Sequence, residues 1–307
     1  MRDQSGISLG VADGVGGWVD AGVDPLSFPK PSCTTHTAIP RRLGLVSQKL
    51  IPTQEYEERE QVEGWELSPS ECLESAYGGV LRERGVVAGS STACILTLNA
   101  SSGVLRAANL GDSGFMIIRA RSIIHQQRGQ IHFFNCPKQL SKLPISAATR
   151  RFPRACVDSP QDADLFETTL RDGDIVIAYT DGLSDNVFPS ELIRICSIIS
   201  RRFQSYNSCP PPDQQNQQQS LLEKAIEDLE VQTMADRIVE YARMCMANRR
   251  RVSPFEVAAA REGQFFRGGV RLLISVSHYV VRLAFFRVTS QKIDDVTVVV
   301  ALVRETQ

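Results

Sequence analysis

Aspartate recurs at the ends of apolar runs in this chain, and that placement constrains it more than any other feature. Asp13 closes the run Ile7 to Ala12, Asp112 lies between Val104–Leu110 and Phe115–Ile118, Asp181 follows Ile175–Tyr179, and Asp294 and Asp295 open Val296–Val303. Short runs rich in β-branched residues, bounded by glycine or acid, predict strands. Strand ends meet at one edge of a sheet, so these carboxylates could converge there. Converging carboxylates repel unless cations neutralise them, and hard divalent ions such as Mg2+ or Mn2+ take oxygen ligands. Two such ions about 3.5–4 Å apart suit phosphoryl transfer. Asp-Gly is also a common turn dipeptide. Asp172-Gly173 reads as a turn alone, and spacing by itself leaves the other aspartates open between turn residue and metal ligand.

The rest of the pattern predicts an α+β fold, with helices packed against antiparallel sheets. Ser68-Pro69-Ser70-Glu71 is a capping box with proline at the first helical position, predicting a helix to about Arg84. Ser91–Leu98, Val104–Leu110, Phe115–Ile118, Leu165–Leu170 and Ile175–Tyr179 predict strands joined in hairpins. Helices are expected over Pro189–Arg201 and Leu221–Met246, the second with Leu222, Ile226, Leu229, Met234, Ile238, Ala242 and Cys245 on one face. The run Val296–Val303 is apolar almost throughout and is expected to be buried on both sides. Residues 29–66, 205–219 and 270–291 read as loops or insertions within a single domain spanning 1–307.

Composition removes several function classes. A net charge of −1 leaves no basic excess for nucleic acid. The most apolar stretch, Val270–Val288, carries Arg271, His278, Arg282 and Arg287, so no membrane span is expected. No secretory signal is visible in Met1–Gly10, which is polar and short of apolar residues. The eight cysteines form no C-x-x-C pair, which argues against structural zinc and for buried thiols in a reducing compartment. None opens a phosphate-binding loop of the kind that cysteine-dependent phosphatases use: Cys196 and Cys245 stand six residues before Arg202 and Arg251, but both lie in expected helices.

Local wording goes further than spacing. Gly10-Val11-Ala12-Asp13-Gly14-Val15-Gly16-Gly17-Trp18, Gly89-Ser90-Ser91-Thr92-Ala93, Ala108-Asn109-Leu110-Gly111-Asp112-Ser113-Gly114, Thr180-Asp181-Gly182-Leu183-Ser184-Asp185-Asn186 and Asp294-Asp295-Val296-Thr297-Val298 occur in this order. Together they closely resemble the metal-dependent protein phosphatases of the type 2C, or PPM, family. The Asp13–Trp18 form, with FN-x-P-x-QLS (Phe134–Ser141) and VDSPQDAD (Val157–Asp164), resembles the mitochondrial branch of that family. The resemblance covers about residues 7–28, 68–200 and 220–303.

The resemblance implies a four-layer sandwich of two antiparallel sheets flanked by helices, with two Mg2+ or Mn2+ ions at one edge. Asp13 matches the acid that bridges both ions, Gly14 a ligand acting through its backbone carbonyl, and Asp181 and Asp294 the carboxylates of the inner ion. Asp112 and Asp185 match acids of a weaker third ion, and Asp295 stands where many members have asparagine. Asp13, Asp181 and Asp294 are therefore the expected catalytic residues. The implied reaction is one-step hydrolysis of phosphoserine or phosphothreonine in phosphoprotein substrates by a metal-activated water. Val15 occupies the place of a histidine proposed elsewhere as general acid. The implied location is mitochondrial, and nothing in the sequence fixes an oligomeric state.

Three departures stand out. Family members carry a strand region ahead of the first motif that supplies another acid and a phosphate-binding arginine, and this chain is expected to lack it. Val270–Gln291 separates Gly268-Gly269 from Asp294 and reads as a translated intron. Residues 29–66 lack the family's helix. Besides the active phosphatase there stands a second reading, a catalytically impaired phosphatase-like binding protein or fragment. A third is an unrelated α+β domain with chance turn aspartates.

Overall fold

A computed structural model describes residues 6–15, 67–99, 102–143, 156–207, 216–248, 250–264 and 296–304. The chain divides into two compact units, Met1–Thr180 with Ala301–Gln307 and Asp181–Val300. All of 29–66 and 270–291, and Asp294 and Asp295, lie outside the described residues.

The first unit is built on β1 (Gly6–Val11), β2 (Gly89–Ser91), β3 (Ala93–Asn99), β4 (Val104–Leu110), β5 (Gly114–Arg119), β6 (Ser122–Gln126), β7 (Ile131–Phe133), β8 (Cys136–Pro137), β9 (Leu140–Lys142), β10 (Asp164–Thr169) and β11 (Ile175–Tyr179), with the last two residues of β12 (Val298–Leu302). One sheet has the order β1-β3-β4-β10 and the other β12-β11-β5-β6, with β2-β9 and β7-β8 as short ladders. The pairings β1–β3, β3–β4, β4–β10, β5–β6 and β5–β11 are all antiparallel. The sheets face each other where β3 meets β5 and β1 meets β11. Phe115 of β5 sits 5.6 Å from Phe166 of β10, centroid to centroid, so aromatic rings fill the space between layers. The central strand β11 is buried along its whole length, whereas the edge strands β6 and β10 alternate in exposure with the period of 2 that a strand imposes.

One helix, α1 (Pro69–Arg82), covers the outer face of the first sheet. Its capping box forms as expected: Glu71 N donates to Ser68 Oγ at 3.3 Å and Ser68 N to Glu71 Oε2 at 2.8 Å. Leu73 packs with Ala93, Leu110 and Leu140, a burial worth about 2 kcal/mol. At the other end of α1, Lys142 Nζ donates to the carbonyls of Val80 and Glu83 at 2.8 and 2.5 Å. A cation there satisfies acceptors that the helix cannot pair internally.

The strand expected over Val296–Val303 is found as β12, but all five of its residues are only half-buried. Among the described residues it takes the outer position in its sheet, with a neighbour on one side only. Its end is pinned where Gly173 N donates to Val303 O at 3.0 Å and Val303 N to Asp174 O at 2.9 Å. Asp172-Gly173 is thus the turn it reads as.

The second unit contains α2 (Asp181–Ser184), α3 (Pro189–Asn207), α4 (Asn216–Ala247) and α5 (Pro254–Arg261). Helices α3 and α4 pack together and extend into 205–219, so residues 205–207 and 216–219 of that expected loop are helical. Met234, Ile238, Ala242 and Cys245 form the buried stripe of α4 as predicted, but Leu229 is 58% exposed and Glu230 is 4% exposed. Glu230 precedes Met234 by four residues and so lies on the stripe that Leu229 misses. Its carboxylate accepts a hydrogen bond from Ser200 Oγ at 2.8 Å, which compensates its burial.

Candidate metal centre

β1 carries the chain toward Asp13, two residues past Val11, whose ladder partner is Cys94. The segment between β2 and β3 then grips the backbone of the turn. Thr92 N donates to Asp13 O at 2.9 Å, Ser91 Oγ donates to the same carbonyl at 2.8 Å, and Val15 N donates to Ser90 O at 3.1 Å. Asp13 and Gly14 are half-buried.

Asp112 stands on the turn from β4 to β5, also half-buried. Gly111 makes that turn possible. Its φ is +98°, and a Cβ there would lie 2.6 Å from Lys138 O and 2.6 Å from Thr92 Cγ2, closer than any side chain tolerates. Gln130 clamps the same residue, donating its N–H to Gly111 O at 2.9 Å and accepting Gly111 N on Oε1 at 3.2 Å. Thr92 Oγ1 and Ser113 Oγ share a buried hydrogen bond of 2.7 Å. One residue, Thr92, therefore touches both the Asp13 turn and the Asp112 turn.

Behind this layer lies another polar chain. Ser90 Oγ donates to Gln139 Oε1, Gln139 N donates to Asp158 Oδ2 at 2.8 Å, and Asp158 N returns a bond to Gln139 O at 3.0 Å. His132 Nε2 meets the same carboxylate at 2.9 Å. The motifs around Phe134–Ser141 and Val157–Asp164 thus meet each other and support Ser90. Reading the sequence assigns no role to Thr92, Gln139 or Asp158. The available signal was that these words are polar where neighbouring strands are apolar.

In the second unit Asp181 opens α2 and Asp185 follows one helical turn later, both half-buried. Asp185 N donates to Asp181 O at 2.8 Å, and Asn186 Nδ2 donates to Gly182 O at 2.9 Å. Phe255 N, at the start of α5, donates to Asp185 O at 3.1 Å. Leu183 between them is fully buried.

Of the expected ligands, Asp13, Gly14 and Asp112 belong to the first unit, Asp181 and Asp185 to the second, and Asp294 lies outside the described residues. Among the described residues no group of three His, Cys, Asp or Glu side chains forms a metal cage. The donors offered are carboxylates and a backbone carbonyl, hard oxygens of the kind Mg2+ and Mn2+ take. Thiol chemistry is disfavoured: burial pushes up the thiols of Cys72, Cys94, Cys196 and Cys245, Cys196 to about 12. Such groups do not supply the free thiolate that attack on a phosphate ester needs. No helix among the described residues is long and apolar enough to cross a membrane.

No protein-family profile matches the chain. It is 37% identical over 186 residues to the protein phosphatase PTC7 homolog of Xenopus laevis, covering 61% of this chain and 55% of that protein. The human protein phosphatase PTC7 homolog is also 37% identical over 186 residues, covering 61% and 54%. The PTC7 homolog fig of Drosophila ananassae is 32% identical over 261 residues, covering 85% and 65%. The chain spans about half the length of most curated relatives it matches. In fold it is similar to the X-ray structure of the photosystem II phosphatase PBCP, with a TM-score of 0.54, 22% identity, and coverage of 84% of this chain and 80% of that one.

Proposed function

We propose, from its similarity to the PTC7 protein phosphatases, that the chain is a type 2C protein phosphatase that hydrolyses phosphoserine and phosphothreonine in proteins with the help of divalent cations. Asp13, the Gly14 carbonyl, Asp181 and Asp294 are the proposed ligands of two Mg2+ or Mn2+ ions, with Asp112 and Asp185 serving a weaker third. When bound, such ions acidify water and draw charge from phosphoryl oxygens. The chain's own residues do the positioning. The single observation that carries this reading is that Ser91 and Thr92 hold the Asp13 backbone while Thr92 and Ser113 hold the Asp112 turn. Site acids must be held within about 0.5 Å to be useful, and hydrogen bonds from a buried strand segment supply that restraint. Val15 carries no proton to give, so the leaving alkoxide takes its proton from water or from another group. A mitochondrial location is part of the proposal, carried by the Asp13–Trp18 wording, and imaging of the tagged protein in cells checks it.

Manganese-dependent hydrolysis of p-nitrophenyl phosphate tests the assignment. The chain is expected to turn over this ester, with a loss of about 100-fold or more on chelation and in Asp13→Asn or Asp181→Asn. A chain that is folded by circular dichroism yet inactive with manganese would sink the phosphatase reading. Phosphopeptide binding by that inactive chain would then identify the binding protein that is the alternative.

A further inference from the structure

The described cysteines differ in setting. Cys94, Cys196 and Cys245 are buried, whereas Cys72, Cys136 and Cys156 are half-buried. Cys136 Sγ and Cys156 Sγ lie 3.6 Å apart, in van der Waals contact. They are not chance neighbours on loose segments, because hydrogen bonds clip their two strips of chain together. Ser141 Oγ donates to Cys156 O at 2.8 Å, Asp158 N donates to Gln139 O at 3.0 Å, and Leu140 and Asp158 form a bridge.

We propose that Cys136 and Cys156 are a redox modification site, a dithiol that closes to a disulfide under a peroxide oxidant and reopens under a thiol reductant. The contact needs only a modest further approach to reach a bond of about 2.05 Å. The roles of the two sulfurs differ. Burial, together with its contact with Cys156, pushes the Cys136 thiol up to about 12. In the proposed sequence the Cys156 sulfur gives up its proton and attacks one oxygen of hydrogen peroxide. The O–O bond breaks, hydroxide leaves and is protonated to water, and Cys156 becomes a sulfenic acid. Cys136 sulfur then attacks Cys156 sulfur. The S–S bond forms as the S–O bond breaks, and the departing hydroxide takes the Cys136 proton to give a second water. Two thiols are oxidised while one peroxide is reduced to two waters.

Closure acts on a place that matters to the fold. Lys138, two residues past Cys136, donates its N–H to Gln130 O at 2.9 Å, and Gln130 N donates to Gly111 O at 2.9 Å. The bridge thus braces the turn that carries Asp112, whatever that aspartate binds.

Peptide mapping after hydrogen peroxide treatment and alkylation of the folded chain is the test. The expected product is a cross-linked peptide joining Cys136 to Cys156, lost with dithiothreitol and absent in Cys156→Ser. Unfolding in urea before oxidation should lower its yield about tenfold, since proximity is lost. In Cys136→Ser the Cys156 sulfenic acid should persist and be trapped by dimedone. Separate oxidation of Cys136 and Cys156 without a cross-link would overturn the proposal. Cross-linking of either to Cys72 as often as to each other, or oxidation of Cys72 while the pair stays reduced, would overturn it equally.

Discussion

The turn that carries Asp112 and the turn that carries Asp181 both follow an apolar strand, yet they are held in different ways. The first is a sheet turn fixed by geometry and polar contacts: a glycine at φ +98°, a hydroxyl pair between Thr92 and Ser113, and two bonds from Gln130. The second is one turn of helix fixed by burial, with Leu183 fully enclosed between the two aspartates. An acid can thus be positioned by directional bonds, which tolerate little change in backbone, or by an apolar anchor, which tolerates little loss of volume. Substitutions that separate the two modes should have different sizes.

The largest effect is expected at the apolar anchor. Leu183→Ala removes a fully buried side chain and should cost about 2–5 kcal/mol in urea denaturation. A cost below about 1 kcal/mol would mean that the bonds from Asn186 and Phe255 hold the helical turn instead. Next comes the backbone-defined turn. Gly111→Ala should cost about 1–3 kcal/mol from the φ alone, with more from the clash against Lys138 O and Thr92. Gly173→Ala is the control that sharpens this, because Gly173 also has positive φ, +78°, but nothing within 4 Å of a Cβ. Equal losses at the two glycines would show that Lys138 and Thr92 simply move aside.

The same contrast explains what could be read from the sequence. The strands Val104–Leu110 and Ile175–Tyr179 were legible to the residue, because an apolar run bounded by turn residues leaves one reading. The Ser68 capping box was legible for the same local reason, and Ser253 with Glu256 repeats it at the start of α5, where a helix of only eight residues left too little periodicity to notice. Strands β6 to β9 escaped because they are short and largely polar, and their pairing depends on distant partners. Asp181-Gly182-Leu183-Ser184 looks like a turn, and only the burial of Leu183 makes it helical. The continuous apolar run of β12 suggested a central strand, but edge or centre is decided by sheet order, which no local pattern encodes. Of the candidate site, the aspartates could be picked out from the sequence only as expected ligands. The residue joining two of their turns, Thr92, could not be, since its role exists only once β3 and β5 face each other.

The smallest expected effect separates the two units by pH. His125 lies in the first unit, its ring stacked 3.8 Å from Phe166 and tilted 4.8 Å from Phe115, with Nε2 buried and lacking a hydrogen-bond partner. Burial depresses the ring's pKa, against a hydrogen bond with Gln127 that acts to raise it. The folded chain therefore binds this proton less readily than the unfolded chain. The stability from the neutral ring is complete above the ordinary histidine value of about 6.5 and is lost as pH falls below it. The described part of the second unit contains no histidine. Hydrogen exchange compared at pH 7 and pH 5.5, after correction for the intrinsic rate, should show protection falling in β5, β6 and β10 but not in α3 and α4. His125→Phe keeps the stacking and removes the charge, so it should abolish most of the difference between the units. If protection in α3 and α4 falls in parallel, or if the Phe variant keeps the wild-type pH dependence, the acid sensitivity lies elsewhere and the neutral ring is not what distinguishes the first unit.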